Sequence, residues 1–274
     1  LKTLMTTGFL SCSKVATFGS ECEEAVGIVR LTLVVITLVV ISLMFVGISY
    51  GKVWYGQNFD NYKDGDIAGQ RGWEILPLKA KLTSPTIQAD VAFGDTGKSV
   101  LMEVGQYVIR NFPGAHADTQ HVSFHFRHDS ETDLMASHYI GGGDIKWKAA
   151  AHFSIRGLNK KLSAFDGGKH RNIALIELEK WLHFHVVLDF NSQTYDFYMD
   201  GKRVANNWAF KGADNPSLDW FFFGNSRNPD AGQSLVVYID NISIGAGKGD
   251  PTSPPEMAVS SSGKLATAWA ELKR

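Results

Sequence analysis

The sequence has almost no cysteine, no excess of charge of either sign and few amphipathic periods of helix length. Its two cysteines, Cys12 and Cys22, precede residue 31, so the rest of the chain depends on packing, with or without a metal, rather than on an internal disulfide. A net charge of −1 gives no indication of a nucleic acid or an anionic membrane surface as a partner. The scarcity of helical periods between residues 57 and 245, with 27 glycines and 12% aromatic residues, favours an all-β domain with many turns.

One long apolar run differs from the rest of the chain. The segment LTLVVITLVVISLMFVGIS extends from Leu31 to Ser49 without a charged residue, and a helix of this length nearly spans the hydrocarbon part of a bilayer. It predicts either a transmembrane helix or a secretory signal that is cleaved near Ser49, where small residues occur. Residues 1–30 are expected to lie outside the fold.

A second segment has the period of β-strands. In WLHFHVVLDFNSQTYDFYMDGKRV, residues 181–204, every second residue from Leu182 to Phe190 is apolar, and the alternation resumes at Tyr195. Strict period-2 alternation indicates a strand with one buried face, and Asp200-Gly201 is a strong hairpin signal. The pattern predicts two antiparallel strands and the start of a third, under a second layer. The core predicted from this parity and from later strands comprises Phe184, Val186, Leu188, Phe197, Trp220, Phe222, Val237 and Ile239.

Three stretches together resemble one superfamily. The ribbon at residues 181–204, the opening NFDNYKDGDIAGQRGWEI at residues 58–75 and the closing SLVVYIDNISIG at residues 234–245 resemble concanavalin A-like lectin/glucanase domains, in particular laminin-G-like ones. The resemblance implies that residues 57–245 form an all-β, two-sheet antiparallel β-sandwich of jelly-roll type.

The remaining segments complete the predicted domain organisation. The sandwich follows the transmembrane or signal helix, and a linker rich in Gly, Pro and Ser is predicted at residues 246–262. Apolar residues at helical spacing then predict a short helix at residues 263–274, which packs back on the sandwich or serves another partner.

The sequence lacks a complete catalytic carboxylate motif. Laminarinase-type hydrolases of this superfamily carry E-x-D-x-x-E or E-x-D-x-E on a strand, because one carboxylate attacks while another protonates the leaving oxygen. Glu131 and Asp133 are present here, but Met135 and Ala136 stand where the acid is required. The surrounding RHDSETD is typical of a polar loop. Hydrolysis by this mechanism is therefore disfavoured, and the strand patterns of alginate-lyase relatives are absent as well.

Two strands share a row of polar side chains that forms the candidate ligand site. Alternation in TQHVSFHFRHD and in WLHFH puts these side chains opposite the apolar face. On one concave sheet they would line a groove in which imidazole and guanidinium groups bind sugar hydroxyls or a uronate and Trp stacks on a pyranose ring. The alternative is a solvent-facing row on the convex sheet. The row comprises His121, His125, Arg127, Trp181, His183 and His185.

Two metals need consideration. Zinc is disfavoured because His183 and His185 have no evident third ligand. His152 and His170 are predicted to lie in loops. Structural calcium is the metal that the resemblance implies, since the first and last strands of many sugar-binding jelly rolls pair and hold Ca²⁺ between them. Asp60 and Asp240 are its predicted ligands. The alternative is that they are a turn residue and a surface strand residue.

These patterns predict a non-catalytic carbohydrate-binding or adhesion module with a polysaccharide or glycan as its partner. The resemblance implies export, so the domain is expected outside the cell, anchored by a single span at residues 31–49 or secreted after cleavage near Ser49. Two alternatives stay open. One is a polysaccharide lyase that uses His and Arg on the concave face, and the other is a purely structural spacer. The oligomeric state is open too.

Overall fold

The protein is described by a computed structural model that covers residues 52–75, 82–95, 97–112, 118–142, 149–212, 215–225, 232 and 234–253. Within these ranges the regular structure is sixteen β-strands and one 3-10 helix at Phe93–Asp95, so the predicted all-β class is confirmed. No helix in the same ranges is both long and apolar enough to cross a bilayer. The helices predicted at residues 31–49 and 263–274 lie outside the described residues.

The strands follow one another along the chain with short connections. Their bounds are β1 Val53–Gln57, β2 Gly65–Asp66, β3 Trp73–Ile75, β4 Thr86–Gln88, β5 Ser99–Met102, β6 Tyr107–Asn111, β7 Thr119–His128, β8 Met135–Gly141, β9 Ala151–Arg156, β10 Lys161–Asp166, β11 Lys169–Leu175, β12 Leu182–Asp189, β13 Thr194–Met199, β14 Lys202–Ala209, β15 Trp220–Gly224 and β16 Val237–Ala246.

The strands form two antiparallel sheets that pack as a sandwich. The nine-stranded sheet has the order β14-β13-β12-β7-β16-β5-β4-β2, and β1 pairs with β16 beside it. The seven-stranded sheet has the order β11-β10-β9-β8-β15-β6-β3. The first and last strands are partners, with Val53 opposite Gly245 and Gln57 opposite Ile242. The predicted pairing of the two ends of the domain is thereby confirmed.

The ribbon predicted at residues 181–204 is present as β12, β13 and the start of β14. Phe184 pairs with Met199 across the first hairpin, and Met199 pairs with Lys202 across the second. Asp200 and Gly201 in the second turn have φ values of 50° and 75°. Positive φ at both central positions matches the twist of a two-residue hairpin, which explains the Asp-Gly pair.

The core lies between the two sheets and is largely aromatic. Six of the predicted core residues are buried in it, namely Phe184, Val186, Leu188, Phe197, Val237 and Ile239. The prediction is wrong for the face of β15. Phe221 and Phe223 contribute to this core, whereas Trp220 and Phe222 are buried in a separate cluster on the outer face of the seven-stranded sheet. Alternation could not assign this strand because it is aromatic on both faces.

One histidine lies inside the aromatic core. His138 on β8 is fully buried, and its ring lies 5.0–5.6 Å from the rings of Phe124, Phe126 and Phe153. Neither of its ring nitrogens has a hydrogen-bond partner among the described residues. Burial lowers its pKa to about 3, with a smaller contribution from His128, so the imidazole is neutral in the folded protein.

Candidate functional site

The structure brings the predicted polar row together on the outer face of the nine-stranded sheet. β7 and β12 are neighbours in this sheet, and His183 pairs directly with His125. The ring centroids of these two histidines lie 5.4 Å apart, and those of His121 and His185 lie 5.3 Å apart. Sequence parity therefore placed the histidines of both strands on one face.

The chain itself covers this row. Residues 247–253, which we call the strap, follow β16 across the face. Nδ1 of His121 lies 3.1 Å from the carbonyl oxygen of Gly247, and Nε2 of His185 lies 2.8 Å from that of Lys248. The two histidines are only 3% and 2% exposed. Their imidazoles therefore anchor the strap.

The other end of the row is covered by Phe93. Its ring stacks on His125 at a centroid distance of 3.5 Å, and Trp181 contacts the same ring edge-on at 6.0 Å. Arg127 donates two hydrogen bonds of 2.7 Å to the carboxylate of Asp129. A glycan therefore has little access to His125 in this conformation, and the guanidinium of Arg127 already has an anionic partner.

The fit of the strap leads to a first prediction. Gly249 has a φ of +62°, and a Cβ there would lie 2.8 Å from Cε1 of His185 and 2.9 Å from Cδ2 of His121. Gly249→Ala is expected to lower the free energy of unfolding by about 1–2 kcal/mol, because an L-residue is disfavoured at this φ and the rings must move. Thermal unfolding of the purified protein measures the effect.

The matched control is Gly168→Ala in the turn between β10 and β11. A Cβ at this glycine meets no atom within 4 Å, so little change in melting temperature is expected. Equal melting temperatures for Gly249→Ala and the wild type would contradict the packing of the strap on the histidines.

The outer face of the seven-stranded sheet carries a second constellation. Four rings lie side by side across β15, β8, β9 and β10, with successive centroid distances of 4.3, 3.8 and 4.7 Å and interplanar angles of 20° or less. We call this set the ring stack; its members are Phe222, Tyr139, His152 and Phe165. Phe222 and Tyr139 are buried, whereas Phe165 at the other end is partly exposed.

A row of small polar residues runs beside the ring stack. Cross-strand register aligns Ser137 with Ser154, Ser154 with Ser163 and Ser163 with Asn172. We call these four residues the serine row. Next to it lie the longer side chains of Arg156 and Lys161, which are also paired across β9 and β10. Ser137, Ser154 and Ser163 are buried, whereas Asn172 on the edge strand is exposed, so the accessible end of the serine row lies at β11.

Lys211 lies over the ring stack. Its Nζ is 2.9 Å from Nδ1 of His152 and lies 4.6 Å and 5.2 Å from the ring centroids of Phe165 and Tyr139. Burial, followed by the charges of Lys211 and His170, lowers the pKa of His152 to about 2. The imidazole is therefore neutral, accepts a hydrogen bond from the ammonium at Nδ1 and carries its proton on Nε2.

The sequence did not predict this second face. His152 and His170 lie on β9 and β11, not in loops. β8 and β9 are buried along nearly their whole length, so polar and apolar residues do not separate into an exposed and a buried set. The available signal was the recurrence of polar residues at every second position of AHFSIRG, and the spacing of Ser137 and Tyr139 in MASHYIG. Glu131 and Asp133 precede β8 outside any strand, as the sequence predicts.

Asp60 and Asp240 lie on either side of one loop. Asp240 accepts backbone hydrogen bonds from Phe93 at 3.0 Å and from Asn241 at 2.7 Å, and Asp60 accepts one from Lys98 at 3.0 Å. Asp240 is 3% exposed; this burial and, to a smaller extent, the charge of Asp60 raise its pKa to about 7. Asp240 is thus a buried strand residue, unlike the surface residue of the alternative interpretation.

These residues are compatible with calcium, which stays a proposal. The two carboxylates are close enough to repel each other, and a divalent cation would remove that repulsion. No group of three or more His, Cys, Asp or Glu side chains in the described ranges is arranged to hold a metal. The remaining ligands would therefore be backbone carbonyl oxygens and water, which calcium accepts.

Comparison with known proteins identifies the fold. No family model and no curated protein matches the sequence. Among solved structures, a sialidase aligns with a TM-score of 0.54 and 19% identity over 71% of this chain and 19% of its own. The endo-β-1,4-glucuronan lyase of the fungus Trichoderma reesei aligns with a TM-score of 0.50 and 15% identity over 73% of this chain and 99% of its own.

A third solved structure shows the same fold. The receptor-binding domain of a botulinum neurotoxin C/D mosaic serotype aligns with a TM-score of 0.50 and 12% identity over 73% of this chain and 49% of its own. This chain thus spans about a fifth of the sialidase and half of the neurotoxin domain. All three matches indicate a β-sandwich of the lectin/glucanase-like kind, and at these identities they establish the fold alone.

Proposed function

We propose that this chain is a glycan-binding module whose ligand binds at the exposed end of the ring stack. The observation that carries the proposal is the alignment of aromatic rings beside a row of hydroxyl groups on one sheet face. Aromatic rings stack on the apolar faces of sugars, and short polar side chains bind their hydroxyls. The same proposal includes that the domain is of the laminin-G-like type.

The accessible part of this face lies at β10 and β11. Phe165 is partly exposed, and His170 and Asn172 are exposed, while the rest of the stack is buried. Ser163 donates a hydrogen bond of 2.8 Å to Asn172, and the hydroxyl of Ser154 lies 3.4 Å from Nε2 of His170. A sugar bound here would contact Phe165 and exchange these hydrogen bonds for its own.

Two named proteins of this fold support a sugar ligand by analogy. A sialidase and a glucuronan lyase both act on carbohydrates, and this fold also carries unrelated functions. The export of the domain is part of the proposal and rests mainly on the family resemblance, together with the apolar run at residues 31–49. Its test is the digestion of the domain by protease added to intact cells; full protection would contradict an outside location.

A lyase is the second candidate, because Tyr139 and His152 lie on the same face as a cationic group. In lyases of this type a His or Tyr moves the proton at C5 while a cation neutralises the uronate. The lyase based on His125 and Arg127 has less support, since Phe93 covers the first and Asp129 binds the second.

The test exposes the purified protein to a panel of polysaccharides and follows both binding and the absorbance near 235 nm of unsaturated uronates. Phe165→Ala is expected to weaken binding about tenfold, as the loss of an aromatic anchor does. Leu158→Ala, at an exposed leucine of the same domain, is the matched control. Growing absorbance would favour the lyase, and no binding to any polysaccharide would favour a structural spacer.

A further inference from the structure

We propose that the glycan is acidic and that Lys211 binds its carboxylate at the exposed end of the ring stack. This inference rests on the proposed glycan-binding function and deepens it. It starts from a cation for which the described residues provide no counter-ion, held on aromatic rings at the accessible end of a sheet face.

Lys211 is positioned by contacts that do not neutralise its charge. One of its three N–H groups faces Nδ1 of His152 at 2.9 Å, and the ammonium lies over the rings of Phe165 and Tyr139. None of the ion pairs among the described residues includes it. Burial lowers its pKa, which agrees with the absence of a nearby carboxylate.

The surroundings of Lys211 are basic. His170 and Lys169 lie on the neighbouring exposed strand. Arg156 lies near His170, whose pKa it lowers after the effect of burial, and pairs with Asp133 at 3.5 Å. The carboxylates that the structure describes in this region already have partners. Asp166 pairs with Arg171 at 2.9 Å and accepts a backbone hydrogen bond from Ala209 at 3.2 Å. Lys211 thus supplies a positive charge close to Phe165 that no described carboxylate neutralises.

A sugar carboxylate fits this arrangement in charge and in shape. The ring of His170 lies 4.8 Å from that of Phe165, so a sugar would contact the exposed edge of Phe165. A substituent of that sugar would lie close to Nζ of Lys211, which has two N–H groups without partners among the described residues. A charge-assisted hydrogen bond at a half-desolvated ammonium is stronger than one in water. The hydroxyls of the same sugar would then contact Asn172, the exposed member of the serine row. A single cation, Lys211, thus gives the site its preference for acidic over neutral sugars.

The experiment compares one polymer in two charge states. The purified protein is titrated with polyglucuronate and with the same polymer after reduction of its carboxyl groups, at low ionic strength. The wild type is expected to bind the acidic form about tenfold more tightly, as expected for one charge-assisted hydrogen bond. Lys211→Gln keeps a donor for His152 but removes the charge, so it is expected to bind both forms equally. Lys211→Arg retains the charge and is expected to retain the preference.

The control is Lys169→Gln, which removes a charge from an exposed lysine of the same sheet. It is expected to change the affinity less than twofold. Equal losses in Lys169→Gln and Lys211→Gln would reveal diffuse attraction and overturn the proposal, as would equal affinity of the wild type for both polymers. Failure to bind either polymer or any other member of the panel would instead contradict the glycan-binding function itself. A sulfated neutral glucan is titrated as a further ligand. If Lys211→Gln weakens binding of the sulfated glucan but not of polyglucuronate, a carboxylate site is excluded.

Discussion

Below about pH 6 the domain is expected to lose stability steeply, because it folds with neutral histidines in its interior. Burial is the largest cause of the lowered pKa in each case. The pKa is about 3 for His125 and His138, about 4 for His128 and His185, and about 2 for His152. His125 lies under Phe93 and His185 lies under the strap. His138 lies inside the core, His128 ends β7 and His152 belongs to the ring stack.

The sign follows from proton linkage. In the unfolded chain these histidines take up protons as the pH falls through about 6.5, whereas the folded protein does not bind them until the pH approaches the lowered pKa. Each histidine then contributes stability that is present above pH 6.5 and is lost on acidification at about 1.4 kcal/mol per pH unit. Several together exceed the total stability of about 5–15 kcal/mol of an ordinary domain. The raised pKa of Asp240 acts in the opposite direction, but it is one group.

His138→Phe isolates one member of the set. A phenylalanine fits among Phe124, Phe126 and Phe153 and removes a buried polar ring without partners in the described structure. The variant is expected to be more stable than the wild type by about 1–3 kcal/mol at pH 7, and its stability is expected to fall less steeply with acid. Urea unfolding between pH 4.5 and 8 measures both effects. His170→Gln, at an exposed histidine, is the control. Stability that stays constant from pH 7 to pH 5 would refute the prediction.

Calcium is expected to raise the melting temperature, and a chelator is expected to lower it. Asp240 is buried without a cationic partner among the described ion pairs and next to the charge of Asp60. Calcium would supply the missing positive charge and connect the beginning of the domain to its last strand. At a concentration about 100 times its dissociation constant, a ligand adds roughly 2.7 kcal/mol to the free energy of unfolding.

Asp240→Asn tests this site, because it keeps the shape of the side chain but removes the carboxylate charge. The variant is expected to melt at the same temperature with calcium and with chelator. Asp64→Asn is the matched control, since Asp64 lies in the same opening segment, is exposed and pairs with Lys98 at 2.8 Å; it is expected to keep the response to calcium. A response that persists in Asp240→Asn, or that the wild type lacks, would rule out this calcium site.

The sequence predicted the sheets better than it predicted the site. The ribbon of β12 and β13 has one buried and one polar face, so alternation assigned its strands and its turn. The same rule brought His125 and His183 to one face, but it contains no information about what lies over that face. The strap and Phe93 are held over this face by contacts between distant parts of the chain. One of them is the hydrogen bond from the backbone N–H of Phe93 to the carboxylate of Asp240.

The ring stack was missed for a related physical reason. Phe222, Tyr139, His152 and Phe165 come from four strands, and only the lateral order of those strands makes them neighbours. No periodicity along one strand can show that order. Lys211 lies beyond β14, and only the fold brings it to this face. Burial likewise excludes the interpretation of Asp240 as a surface strand residue, whereas Asp60 is an exposed turn residue, and their role as calcium ligands stays a prediction.

The pairing of β1 with β16 decides how the domain yields to mechanical force. Val53 lies opposite Gly245, so the chain enters and leaves the sheet at adjacent points. Tension applied between these points breaks the hydrogen bonds between β1 and β16 one after another. The force is therefore not shared among them. β16 keeps its other partners, β5 and β7, when β1 detaches. Stretching should therefore release a short length of chain at low force before the core between the two sheets gives way.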